Sequence, residues 1–227
     1  MAQSKGFAGA GVCEVFSDFI QATAAASDPF GTNDTSAAGA PTLAANDDAV
    51  DGAFELLHDN TDELQELTLS FGDSLMVPAG QGWVMEARVK IVIASGASFS
   101  ADQRCVIGMA SARNATLDSV ADNAWFRIEG ASNVWQLEGD DGTTNTDDQA
   151  SSPSTSYTDD VYQVLRIDGR DLDAVQFSID GQNVGEVDVS GMAATDGLQF
   201  IAEIQKDGGT ETDALEIDYV RVTWQRS

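Results

Sequence analysis

From residue 54 onward, apolar and polar residues alternate along most of the chain, and a period of two predicts strands with unlike faces. The run Val84-Met-Glu-Ala-Arg-Val-Lys-Ile-Val-Ile93 shows the pattern best. Met85, Ala87, Val89 and Ile91 share one face, and Glu86, Arg88 and Lys90 share the other, where opposite charges can pair across strands. Further strands are predicted at 54–57, 64–71, 104–110, 125–129, 134–138, 161–167, 198–204 and 215–224. Another pair, 175–179 and 184–187, reverses at Asp180-Gly181, because glycine tolerates the positive φ of a tight hairpin turn. In the last strand, alternation places Leu215, Ile217 and Tyr219 on one side and Glu216, Asp218 and Val220 on the other. No long helical period competes. The expected architecture is all-β, two antiparallel sheets packed as a sandwich.

Two stretches break the pattern. Residues 21–53 are rich in Ala, Ser, Thr, Gly, Asn and Asp and carry few large side chains with which to build a core. The expected organisation is therefore an extended N-terminal arm, 1–50, followed by a sandwich domain, 51–227, with the arm ordered against its own domain or a neighbour. Within the arm, residues 12–22 read equally as a strand or a short helix. The second stretch, between Glu138 and Asp160, is polar throughout and is expected to be a long loop or hairpin tip.

Charge narrows the range of partners. With 38 acidic against 11 basic residues the formal charge is −27, and the cations are scattered singly, so phosphate backbones would be repelled and no nucleic-acid partner is expected. Nor does any run of about 18 apolar residues suggest a membrane span. The N-terminus lacks the apolar stretch of a signal peptide, which predicts synthesis in the cytoplasm. Cys13 and Cys105 are too few for a disulfide framework and lack C-x-x-C spacing, so two reduced thiols are expected.

Short motifs then suggest a relationship. Phe177-Ser-Ile-Asp-Gly181 before a hairpin and Ile217-Asp-Tyr-Val-Arg-Val222 at the close resemble the concanavalin A-like lectin and glucanase superfamily over roughly residues 51–227. Within it, Val84–Ile91, Cys105-Val-Ile-Gly-Met109 and Asp122–Ile128 look like the concanavalin-like structural proteins of tailed bacteriophages. That resemblance implies a jelly roll acting as a capsid decoration or cement protein on the virion exterior. Its partners would be the major capsid protein and its own copies, with a trimer about a symmetry axis the expected assembly. Phe7, Phe16, Phe19 and Phe30 in the arm, with Trp125 and Arg127, are the candidate interface residues. Trp125 alternates with Arg127 and Glu129, which predicts exposure, whereas Trp135 alternates with Leu137, which predicts burial.

The alternatives concern sugars. Exposed tryptophans suit sugar rings, so a lectin-like glycan-binding module is the second reading, again with Trp125 as anchor. Glucanases of the superfamily place their carboxylates on one strand as Glu-x-Asp-x-Glu or Glu-x-Asp-x-x-Glu. Here Glu216-Ile-Asp218 lacks the second glutamate, and Glu211-Thr-Asp213-Ala-Leu-Glu216 has the bulged spacing but leads into the terminal strand rather than lying in mid-chain. A non-enzyme is expected. The single histidine, His58, is expected in a turn beside Asp59, and without a second His or a nucleophile motif it predicts neither a metal site nor a triad. Asp140, Asp141, Asn145 and Asp147 offer oxygen ligands for calcium but not the spacing of a calcium loop, so no cofactor is expected.

Overall fold

The computed structural model describes residues 11–19, 29–46, 52–94, 96 and 98–226. Sixteen strands run through them: β1 (Val12–Ser17), β2 (Gly31–Asp34), β3 (Thr42–Asn46), β4 (Ala53–Leu57), β5 (Gln65–Ser70), β6 (Val77–Pro78), β7 (Trp83–Val92) and β8 (Gln103–Ala110) in the first half. The second half contributes β9 (Asp122–Glu129), β10 (Gln136–Asp141), β11 (Asn145–Ala150), β12 (Gln163–Gly169), β13 (Val175–Ile179), β14 (Gln182–Val187), β15 (Gly197–Lys206) and β16 (Ala214–Gln225). Sheet I has the order β14-β13-β12-β7-β16-β4-β3, with β1 also on β16; sheet II has the order β11-β10-β9-β8-β15-β5-β2, with β6 on β15. Among the described residues no helix is long and apolar enough to cross a membrane.

Alternation builds the core. Trp83, Met85, Ala87, Val89 and Ile91 of β7 face Cys105, Ile107 and Met109 of β8 and Phe126 of β9 across the interlayer space. Phe126 meets Phe177 of the opposite sheet edge-on at 5.0 Å between ring centroids, a favoured aromatic geometry. Both cysteines are free; Cys105 is fully buried, and burial pushes its thiol up.

Three expectations are corrected here. The alternation of the last strand is interrupted by a bulge between Ile217 and Tyr219, where one extra residue shifts the register. Val220 and Val222 therefore join Leu215 and Ile217 inside, and Tyr219 turns outward to donate its hydroxyl to Glu86 at 3.0 Å. His58 is not in a turn but follows β4 directly and is buried, its backbone N–H donating to the carbonyl of Asp213. Burial, and next the nearby Lys206 ammonium, lower its pKa to about 3, so it sits neutral in the interior. Finally, the polar stretch after Glu138 carries β11, which pairs with β10 as an edge strand rather than forming a loop throughout.

The described parts of residues 1–50 are strands of both sheets. β1 pairs with β16, β2 with β5 and β3 with β4, which decides the strand-or-helix alternative for Val12–Ser17. Phe19 and Phe30 are buried, with ring centroids 5.5 Å apart, and Phe30 lies 5.3 Å from Phe71. Phe16 is half-buried on the outer face of sheet I beside Tyr219. Phe7 lies outside the described residues. Of the arm's candidate anchors, Phe19 and Phe30 are thus core residues and offer no surface to a partner.

Candidate functional site

The outer face of sheet II carries the densest polar chemistry. Antiparallel register sets Thr68 (β5), Glu203 (β15), Val106 (β8), Arg127 (β9) and Gln136 (β10) side by side in one row. The adjoining row runs Ile201, Gly108, Trp125, Glu138. Gly108 is required there, since a Cβ would come within 2.5 Å of Trp125 Cα.

Over the middle of this face folds the segment joining β8 to β9, which includes a short 3-10 helix, Leu117–Ser119. Leu117 and Val120 descend from it onto Val106, Ala110, Trp125 and Ile201, closing a second apolar cluster. Trp125 is consequently buried, against the exposure its alternation with Arg127 predicts, and it cannot serve as an open aromatic platform. The strand pattern placed it correctly on the outer side of the sheet; what the pattern does not reveal is a loop roofing that side.

Arg127 is buried beside it and is likewise no exposed docking residue. Its Nη1 donates to Asp118 at 2.5 Å and Glu138 at 2.7 Å and lies 3.9 Å from Asp147; Nη2 contacts Glu129 at 2.9 Å, and Nε lies 3.9 Å from Asp148. Desolvation raises the pKa of Glu138, with Arg127 opposing it. Asp147 and Asp148 are raised as well, first by burial; Asp148's charge raises Asp147 further, Glu129 and Asp118 raise Asp148, and Arg127 lowers both. Carboxylate oxygens of Asp118, Glu138 and Asp147 lie within 4.8 Å of one another, but a guanidinium already supplies their counter-charge.

The four residues offered for calcium are not brought together. Asp141 accepts backbone N–H bonds from Thr143 (2.9 Å), Thr144 (2.6 Å) and Gly191 (2.7 Å), which commits it to the turn. Asp140 accepts from Gly142 at 2.8 Å, Asn145 is exposed on β11, and Asp147 belongs to the Arg127 cluster instead. Glu129 shares the face of Arg127 by alternation, whereas Asp118, Glu138 and Asp148, the other members of that cluster, come from a loop and two further strands, which no spacing in the sequence brings together.

At the other end of the row, Glu203 accepts from Thr68 Oγ1 at 2.6 Å and from Gln205 Nε2 at 2.5 Å, with Arg113 Nε at 3.5 Å. Burial raises its pKa too. Glu66, Glu138 and Glu203 are buried carboxylates of this face; β15, β8, β9 and β10 put three strand intervals, about 14 Å at the usual spacing, between Glu203 and Glu138, whereas Glu66 on β5 lies beside Glu203 and both pair with Arg113. Two-carboxylate glycoside hydrolysis uses separations of about 5–9.5 Å. The carboxylates of the bulged glucanase spacing are elsewhere: Asp213 accepts from the N–H of Ala94 at 2.7 Å, and Glu216 lies on sheet I bound to Lys90 at 2.9 Å and Tyr162 at 3.1 Å.

No protein family and no curated protein matches the chain by sequence. Among solved structures, the Emp47p carbohydrate recognition domain superposes with a TM-score of 0.65 at 14% identity, over 98% of this chain and 100% of that one. A protein of unknown function from Shewanella oneidensis MR-1 gives 0.67 at 12% over 98% and 90%. A GH16 protein from a Bacteroides ovatus mixed-linkage glucan locus, solved with its product, gives 0.61 at 11% over 91% and 98%. Identities this low speak to fold alone. Two antiparallel sheets in this order, matched along nearly the whole chain, make this a concanavalin A-like jelly-roll sandwich, the fold of lectins and glucanases alike.

Proposed function

We propose that the protein is a non-hydrolytic, lectin-like carbohydrate-binding domain whose glycan contact is the acidic rim around Arg127. The observation that carries this reading is the rim itself. Asp118, Asp147 and Asp148 are each about half exposed and are gathered on one buried guanidinium. Sugar hydroxyls are donors that suit such acceptors, and hydrogen bonds to ionised groups are the stronger kind. Because Arg127 holds the carboxylates in place, little side-chain freedom remains to be lost on binding. Likeness to a carbohydrate recognition domain over its full length agrees with this reading; Glu138 and Glu203 stand too far apart to act as a hydrolytic pair, and Glu66 and Glu203 are both engaged by Arg113. Capsid decoration, implied by the motif resemblance, would need anchors other than Phe19, Phe30, Trp125 and Arg127, all of which are buried.

A glycan array of neutral oligosaccharides tests the proposal. The Asp118→Asn, Asp147→Asn double variant should lose roughly tenfold or more in affinity for any hit, the expected scale for losing charge-assisted bonds, with the fold unchanged by circular dichroism. An array without hits would overturn it, and co-sedimentation with phage particles would then test the capsid reading.

A further inference from the structure

The outer face of sheet I holds a different kind of site. Across three strands, register places Arg221 (β16), Glu86 (β7) and Arg166 (β12) side by side, and Arg170 follows just beyond the end of β12. These residues, with Trp224, Gln225 and Gly82, line a cavity of 270 Å³. Three of the chain's 11 cations thus gather around Glu86, with Asp168 and Glu14 pairing with them from beside the cavity, which concentrates guanidiniums at one place in a molecule carrying 38 acidic residues.

The arginines are held in place but not used up. Asp168 accepts from Arg166 Nη2 at 2.9 Å and from Arg170 Nε and Nη2 at 2.7 and 2.6 Å, while Arg221 Nη2 reaches Glu14 at 3.3 Å. Among the described residues, none of the three Nη1 groups has a hydrogen-bond partner, which leaves one amino group of each guanidinium to donate to a carboxylate. Glu86 accepts from the Tyr219 hydroxyl at 3.0 Å. Gly82 adopts a left-handed φ of 58°, and a Cβ there would lie 3.7 Å from Arg170 Cγ and 3.8 Å from Gln225 Cγ, between two lining side chains. Trp224 is only partly buried and supplies an aromatic edge or face. The volume falls just below the range of about 300–1,000 Å³ typical of pockets for larger ligands, which suits a single ring.

We infer that this cavity is a binding site for an acidic pyranose, its carboxylate held by Arg166, Arg170 and Arg221 and its ring set against Trp224. It lies on a different sheet from the Arg127 rim and stands or falls independently of it. Titration calorimetry of the full chain with glucuronate tests it. Saturable binding is expected, with glucose, which lacks the charge, and inorganic sulfate, which lacks the ring, each weaker by roughly tenfold or more, the scale of charge-assisted contacts. Arg166→Gln with Arg221→Gln should weaken glucuronate by a similar factor, whereas Arg104→Gln should leave it unchanged. Equal affinity for glucose or for sulfate, a double variant that binds as the parent does, or no glucuronate binding at all would each overturn the assignment.

Discussion

Arg88 on sheet I and Arg127 on sheet II occupy the same kind of position, alternate strand residues pointing away from the main core, yet Arg88 keeps 40% of its side chain exposed and Arg127 only 3%. Arg88 pairs with Asp218 and lies over the Tyr162 ring at 4.1 Å in the open. Arg127 is enclosed by acids from β9, β10, β11 and the roofing loop. The difference is made by Leu117 and Val120, whose docking on Trp125 converts an outer sheet face into a second, small interior. One face is therefore tied to stability and the other is free to vary.

Removing Arg127 should have the largest effect. Arg127→Ala would leave Glu138 buried without its counter-charge, and breaking a buried pair from one side costs about 3–5 kcal/mol, readable in urea unfolding. A loss below about 1 kcal/mol, the range of exposed pairs, would erase the distinction between the faces. Leu117→Ala comes next. It deletes the roof's apolar anchor at a buried position, where such truncations cost about 2–5 kcal/mol, the lower end being expected for a loop able to resettle. Trp125 fluorescence should shift to the red in this variant and remain unshifted in Arg88→Ala.

The pH dependence of the two faces should have opposite sign. Burial raises the carboxyl of Glu203, so the folded state binds a proton more readily than the unfolded chain, and stability falls as pH rises from the ordinary glutamate range through the raised value. Glu203→Gln should flatten that slope. On sheet I, burial raises Asp168, but hydrogen bonds and charge from Arg170, then Arg166, outweigh it and hold the carboxyl below its usual value. Its contribution is present above the ordinary aspartate range and is lost as pH falls through the lowered value, so Asp168→Asn should cost stability at pH 7 but not at the acid end. Slopes of the same sign for both variants would contradict the contrast.

What the sequence revealed follows the same division. Strands with one face in the main core, such as β7 with Met85, Ala87, Val89 and Ile91, were legible because burial imposes a strict period of two. Polar edge strands were not. β2, Gly-Thr-Asn-Asp, and β11, Asn-Thr-Asp-Asp-Gln-Ala, bury little side chain and are held through backbone pairing, so no apolar pattern announces them. The bulge between Ile217 and Tyr219 reversed the predicted sides of Tyr219 and Val220 for want of any glycine or proline to mark it. For the site, alternation placed Trp125 and Arg127 on the outer side of sheet II. Their burial depends on Leu117 and Val120, two apolar residues in an otherwise polar loop, and on carboxylates from separate strands that only the register brings together.

The smallest effect should come from the sheet I counterpart. Arg88 makes an ion pair with Asp218 and a cation–π contact with Tyr162, both beside solvent. Exposed pairs contribute about 0–1 kcal/mol and exposed cation–π contacts about 0.5–1 kcal/mol, and neither leaves a buried charge behind when truncated. Arg88→Ala should therefore cost no more than about 1 kcal/mol, since these small terms are offset by the side-chain entropy released. The ion-pair share should shrink in 1 M salt, where the screening length falls to about 3 Å, while the cost of Arg127→Ala, set by desolvation of Glu138, should persist. Measuring both variants at low and high salt separates an open charged face from a roofed one by the response to screening alone. If the two lost stability in parallel as salt was varied, the roof would be no barrier to solvent, and Arg127 and Arg88 would be the same kind of residue.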